Sequence, residues 1–343
     1  MKHGGTRLSV IAFAAVAWLA ATSSAWGQSM PLDSCTTISS PGSYFLTKNL
    51  SAPSPSGTCF IINAPNVAID FKGHTITGIG TDGSGVTDNG SEEDYATISN
   101  GKIRNFYFGI NLVASGYATI NKMQVTGSLR NGIAVRGCCN TFKQVKSNNN
   151  QQLGIFIGEC CSALTNVKSN GNGGGIELEG GHFSVTQATA NNNNGDGIFS
   201  PNCCIAISNS TVSGNTDYGL NLGQEPGGGN NTVIAVKAND NGNNGMMIQS
   251  GNNLVSSCTA NGNQHNGIEL RSANNLISGS TANHNSGIGI EVDNDIGNQV
   301  TTCKANHNHT GVSIECPGSL TSVKASHNPS GDILLGGGKC TQL

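Results

Sequence analysis

Residues 131–150 read NGIAVRGCCNTFKQVKSNNN, and residues 153–172 read LGIFIGECCSALTNVKSNGN. Both have a glycine as their second residue, followed by apolar residues at the first and third positions after it. Both place a cysteine pair six and seven residues after that glycine, and both end on asparagine. The glycine phrase recurs at Gly109, Gly132, Gly154, Gly175, Gly197, Gly219, Gly245, Gly267, Gly287 and Gly311, at intervals of 20 to 26 residues. A last copy, GDILLG, has Asp332 in the glycine's place. Apolar residues alternate with mixed ones after each glycine, as in Ile133/Val135, Ile155/Ile157 and Ile268/Leu270; Ile198/Ser200 is the weak copy. Period-two alternation marks a short strand with one buried face. A second strand follows in each copy, and its end is marked by Asn150, Asn172, Asn193, Asn241, Asn263, Asn285, Asn308 and Asn328. Asparagine tolerates the left-handed backbone of a tight turn, and stacked asparagines can bond to one another as a ladder.

A repeat of about 22 residues with short strands and no helical period is one coil of an all-β, single-stranded parallel β-helix, or β-solenoid. One coil cannot bury its apolar face alone; the core comes from stacking. Coils lie about 4.8 Å apart, so residues at one repeat position become neighbours in space. Functional residues must therefore be sought down these columns.

The chain has 343 residues. Lys2 and Arg7 precede an apolar run from Leu8 to about Ala21, then SSAWGQ, with small residues before Gln28. Residues 1–27 thus read as a secretory signal. Residues 28–78 read as an N-terminal cap with entry coils, and 79–343 as repeats with a C-terminal cap. No later apolar run is long enough to span a membrane. Without the signal, 15 basic residues face 20 acidic ones, which argues against nucleic acid or anionic lipid as partner. Twelve cysteines in an exported chain suggest disulfides before metal thiolates.

The glycine-apolar strands and asparagine-ended turns, with GSYFLTKNL and CFIINAPNVAIDFKGHTITG near the N-terminus, resemble the right-handed parallel β-helix proteins of the pectate-lyase-like superfamily. That resemblance implies a right-handed coil. It implies no single activity, because the superfamily holds lyases, hydrolases, esterases, epimerases, adhesins and non-catalytic members. The polygalacturonase signature is similar only at Asn215, Thr216 and Asp217. The paired aspartates, Gly-His-Gly and Arg-x-Lys that should follow are missing, so Asp217 reads as a turn residue.

Three columns carry candidate chemistry. Outward positions of the first strand give Ala134, Phe156, Glu177, Phe199 and Asn221, and next to them Arg136 and Glu179. Phe156 and Phe199 would be exposed rings for a sugar face, with Arg136, Glu177 and Glu179 as polar contacts. Two residues of strand rise put Glu177 and Glu179 about 6.6–7 Å apart, near the carboxylate separation of an inverting glycosidase. The plainer reading of the same residues is as solvated charges on a solenoid face. Lower down, Gln249, Arg271, Glu291 and Glu315 read as one column beside Glu269 and Asp293, with Arg271 paired to Glu291. A uronate or Ca²⁺ would fit there, or simply solvent. His284, His307 and His327 recur at one turn position in three successive coils. Such imidazoles could share Zn²⁺ or Cu²⁺, or merely fill a permissive turn. By analogy of fold, a periplasmic β-helix protein assists copper-site maturation of nitrous-oxide reductase. The segment 78–94 reads as an acidic loop interrupting the repeat, with Asp82, Asp88, Glu92, Glu93 and Asp94 open to Ca²⁺.

Cys35 with Cys59, and Cys316 with Cys340, read as disulfides pinning the two caps. Cys138 stacks over Cys160 and Cys139 over Cys161, which predicts cross-coil bridges. Cys203 and Cys204 have no cysteine in an adjacent coil and are left a vicinal bridge or free thiols. Together these observations predict a secreted or periplasmic protein that binds polysaccharide or another surface partner along the solenoid, needing no cofactor. A lyase or glycoside hydrolase is the alternative, and a copper-handling accessory a further one.

Overall fold

The computed structural model describes residues 29–53, 57–80, 82–90, 95–224, 229–293, 296–337 and 340–342. Residues 1–27, read from sequence as a signal, lie outside them, as do Glu92, Glu93 and Asp94. All regular elements among the described residues are strands, and every strand pairing is parallel. One sheet has 14 strands and runs from Thr36–Ile38 to Ile333–Gly336; a second has 18. Each coil contributes a strand to the first sheet, turns, contributes to the second, and returns through a third short stretch. In the central coils that third face is a row of single bridges, Lys146 to Lys168 to Thr189 to Thr211 and onward.

The register is that of a stack. Ile133 pairs with Ile155, Ile155 with Ile176, Ile176 with Ile198, and Ile198 with Leu220. These side chains are 0–1 % exposed. The second sheet contributes an inner row of Phe142, Leu164, Val185, Ile207 and Val233, equally buried. Ser200, the polar residue in an apolar row, is buried and donates its hydroxyl to the Leu178 carbonyl at 2.8 Å. The anchor glycines are required by space: a Cβ on Gly197 would lie 2.6 Å from Asn215 Nδ2 and 2.5 Å from the Gly219 carbonyl oxygen.

The asparagines form a ladder of nine: Asn150, Asn172, Asn193, Asn215, Asn241, Asn263, Asn285, Asn308 and Asn328. From Asn172 on, each side-chain Oδ1 accepts the backbone N–H of the asparagine one coil earlier, at 2.8–3.0 Å. It also accepts that residue's Nδ2, at 2.9–3.2 Å from Asn150 to Asn308. Asn215, which sequence reading placed in an Asn-Thr-Asp phrase, is one rung. Asp332 ends the series by accepting Asn328 Nδ2 at 2.8 Å. Two positions earlier a second row runs in the opposite sense: the N–H groups of Asn170, Asn191 and Ser213 donate to Asn148, Asn170 and Asn191 of the preceding coil, each at 2.9 Å.

Two expectations are corrected by the register. The segment after Gly78 is not wholly loop, because Ser84–Asp88 is a rung of the first sheet and pairs with Phe108–Leu112. Asp88 is buried and not free for Ca²⁺. Its carboxylate accepts the N–H groups of Val113 and Ala114, both at 3.0 Å, and the Ser115 hydroxyl at 2.9 Å. In GIGIEV, Gly289 rather than Gly287 aligns with Gly267, since Ile268 pairs with Ile290. Glu291 therefore stacks on Glu269, and Asp293 falls beside Arg271.

Asn241→Ala would strip the acceptor from the Asn215 N–H inside the stack. A buried donor left unpaired costs about 1–3 kcal/mol, besides the bonds lost. The variant is expected to lose roughly 2–4 kcal/mol of stability, read as a lowered urea midpoint.

Candidate functional site

The outward face of the 14-stranded sheet holds one well-formed cleft, about 700 Å³ in volume, spanning the coils from Asn131 to Asp217. Its floor exists because one turn is short. Asn150 to Gly154 spans four steps and Asn193 to Gly197 four, but Asn172 to Gly175 spans three. That shortened turn is glycine throughout, so no side chain stands between the walls. A Cβ on Gly174 would lie 2.8 Å from Leu153 Cδ2. The walls are Gln151 and Gln152 of the coil before and Asn194 and Asp196 of the coil after.

The expected column is present in register: Ala134, Phe156, Glu177, Phe199 and Asn221 pair in succession. Its exposure is not as expected. Phe156 is only 5 % exposed, because the Arg136 guanidinium lies over its ring, 4.7 Å from the centroid. Phe199 is half-buried and faces the cleft. Two open rings therefore become one partly open ring and one capped by a cation.

Glu177 and Glu179 part company. The strand Gly174–Leu178 ends before Glu179, which is exposed and outside the cleft lining. Glu177 lies inside, half-buried. Burial raises its pKa, helped by the charges of Glu179 and Asp196 and opposed by Arg136. The acid that shares the cleft with it is Asp196, which sequence reading missed. Asp196 accepts the Tyr218 N–H at 3.1 Å and Asn221 Nδ2 at 3.0 Å. Burial, with Asp217 nearby, still pushes its pKa up to about 6. Asp217, read from sequence as a turn residue, also lines the cleft and accepts Asn243 Nδ2 at 3.0 Å. The signal for both was available: each follows the ladder asparagine by two or three residues, at the mouth of the return strand.

The lower acidic group is arranged differently from expectation. Arg271 Nε donates to Glu269 at 2.7 Å and approaches Asp293 at 3.8 Å, instead of pairing with Glu291. Glu269 is buried and also accepts Asn244 and Asn266 side-chain amides at 2.7 and 2.9 Å. Glu291 is pushed up to about 7 by burial and by Asp293 and Glu269. These carboxylates are engaged with protein donors.

His284, His307 and His327 occupy one left-handed turn column, with φ of 58°, 59° and 60°, a backbone that favours Asn, Asp and His among non-glycines. Adjacent rings lie 4.9 and 4.8 Å apart between centroids. They form a stack along the axis, with His284 and His327 two coils apart, and not a cage of three. Among the described residues the group whose ligand atoms converge within 4.8 Å is His182, Cys203 and Cys204, and Cys203 is disulfide-bonded to Cys204.

Cys35 is bonded to Cys59 and Cys316 to Cys340. The expected Cys138–Cys160 and Cys139–Cys161 bridges are not formed; all four are free. The reason is geometric. The sulfurs turn to their sequence neighbours and not along the stack, with Sγ atoms 3.0 Å apart at Cys138/Cys139 and 2.7 Å apart at Cys160/Cys161. Cys258 and Cys303 are buried thiols that donate to Ser256 and Thr301 carbonyls, each at 3.2 Å.

With this geometry the comparisons agree on architecture. A family model described as the right-handed β-helix region matches residues 174–328. The chain has the right-handed parallel β-helix fold. Its fold is similar to the A-module of the Azotobacter vinelandii mannuronan C-5 epimerase AlgE4, with a TM-score of 0.62 and 14 % identity over 88 % of this chain and 91 % of that one. It is similar also to a double mutant of the periplasmic alginate epimerase AlgG, with a TM-score of 0.52 and 13 % identity over 88 % of this chain and 75 % of that one. At these identities the likeness is one of fold. No curated protein matches the sequence.

Asp196 gives the site a pH signature. Its folded-state pKa of about 6 stands above the ordinary value of 3.8. Between those values the native state keeps a proton that the unfolded chain releases. Stability therefore falls as pH rises from about 4 to about 6, by roughly 3 kcal/mol for this group. Asp196→Asn keeps one acceptor, for the Tyr218 N–H, and removes the charge. It is expected to lessen the fall of the urea midpoint between pH 4 and pH 7, the remainder coming from Glu291 and the other carboxylates of raised pKa, and to raise the midpoint above pH 6.

Proposed function

We propose that the chain is an exported β-helix protein whose 14-stranded face binds a polysaccharide, gripping it at the cleft between Gln152 and Asp217. The observation that carries this reading is the cleft itself: an open floor of glycine, a half-buried Phe199 ring, and carboxylates of Glu177 and Asp196 facing the same space. Sugar recognition uses an apolar ring face together with a few placed polar groups. The names of the similar folds, a mannuronan and an alginate epimerase, support a polysaccharide as the ligand class. Disulfides at both caps and at Cys203–Cys204 fit an oxidising compartment, and so support export.

The lining charges narrow the class. Glu177, Asp196 and Asp217 face one Arg136, and Arg136 is already engaged over Phe156. An anionic chain would meet three carboxylates, whereas hydroxyl groups of a neutral glycan can donate to them. The reading is therefore a neutral, hydroxyl-rich polysaccharide. A second reading, hydrolysis in this cleft, rests on Asp196 being held near pH 6 beside Glu177, the range suited to a general acid.

Calorimetric titration with neutral and uronate oligosaccharides distinguishes these outcomes. Neutral chains are expected to bind, and Phe199→Ala to weaken them at least tenfold, about 1.4 kcal/mol. Binding of uronates alone, or unchanged affinity in Phe199→Ala, would contradict the reading. Reducing ends that accumulate with the native protein and vanish in Asp196→Asn would establish the hydrolytic alternative.

A further inference from the structure

Six cysteines on one turn edge form three adjacent pairs, and the same local backbone is built around each. The second residue of every pair is left-handed, with φ of 65° at Cys139, 66° at Cys161 and 64° at Cys204. Bonds between coils hold the column in place. The Tyr117 N–H donates to the Cys138 carbonyl at 2.9 Å, Cys139 to Cys160 at 3.1 Å, Cys161 to Gly181 at 3.0 Å, and Cys204 to Gly229 at 3.0 Å. His182 takes the left-handed position in the coil between the second and third pairs.

Within each pair the side chains turn toward each other rather than along the stack. Cys203 and Cys204 are joined. The Cys138 and Cys139 sulfurs are 3.0 Å apart, and those of Cys160 and Cys161 are 2.7 Å apart. Both separations are shorter than two sulfurs keep without a bond or a hydrogen bond between them. In each pair the left-handed second residue carries the sulfur that meets the sulfur of the first.

We propose that Cys138–Cys139 and Cys160–Cys161 close as vicinal disulfides like Cys203–Cys204, so that three such rings line one edge of the solenoid. Each closure forms one S–S bond and removes two protons and two electrons. The electrons pass to a protein disulfide by thiol–disulfide exchange, and that donor leaves as a dithiol. The four half-buried or exposed thiols are consumed, leaving Cys258 and Cys303 as the only thiols, both in the core. The first ring begins two residues after Arg136, so it fixes the end of the strand that carries the guanidinium over Phe156. This inference does not depend on what the cleft binds.

Trypsin separates the pairs cleanly, since cleavage after Arg136, Lys143, Lys146, Lys168 and Lys237 leaves each alone on its own peptide: 137–143, 147–168 and 169–237. The protein is produced in an oxidising compartment, quenched in acid, alkylated under denaturing conditions and mapped by mass spectrometry without reduction. The expected result is three unlinked, unalkylated peptides, each lighter by two hydrogens than its dithiol form and gaining two alkyl groups only after reduction. Recovery of 137–143 joined to 147–168, which is the cross-coil connectivity, would overturn the proposal. So would alkylation of both cysteines in either peptide before reduction.

Discussion

The structure depends on one constraint: every coil must repeat its neighbour's backbone at strand spacing, in register. The asparagine ladder enforces it. Each rung uses its Oδ1 to hold the backbone N–H and the side chain of the coil before, so a coil displaced by one residue would lose both bonds and bury the orphaned donors. The row at Asn148, Asn170 and Asn191 donates in the opposite sense, which ties each coil from both sides. Apolar stacking supplies the bulk of the stabilisation, but it would tolerate slips between similar rows of Ile, Leu and Val. The polar ladder is what makes a single register the favoured one.

Given that rigid repeat, chemistry arises where the repeat is broken. The turn through Gly173 and Gly174 is one residue shorter than its neighbours, and its lack of side chains opens the cleft. The next coil brings Asp196 to the cleft's edge, where burial raises its pKa to about 6. The chain thus sets two half-buried acids with raised pKa, Asp196 and Glu177, beside its most permissive backbone. Elsewhere on the same face, carboxylates such as Glu269 are fully engaged by amide and guanidinium donors.

The period, the strands, the buried rows and eight of the nine ladder residues were legible in the sequence, because each is a local pattern repeated many times. The column of Phe156, Glu177 and Phe199 was legible too, since register follows from counting. What counting could not provide is the direction and cover of individual side chains. Phe156 is in its expected column yet capped by Arg136 from the adjacent coil. Glu179 is next but one to Glu177 yet beyond the end of the strand. Cys138 and Cys160 sit on adjacent coils, yet each turns its sulfur to its sequence neighbour. Two glycines in GIGIEV offered two registers, and only stacking of Ile290 on Ile268 chose between them.

The central claim is that these stacked coils gather Phe199, Glu177 and Asp196 into one glycan-binding cleft. Hydrogen–deuterium exchange, compared with and without a neutral oligosaccharide, tests it directly. The account predicts new protection confined to the backbone of residues 151–153, 173–177 and 194–199. Protection confined instead to the histidine edge at 284–327, or no change within the cleft at saturating ligand, would contradict it.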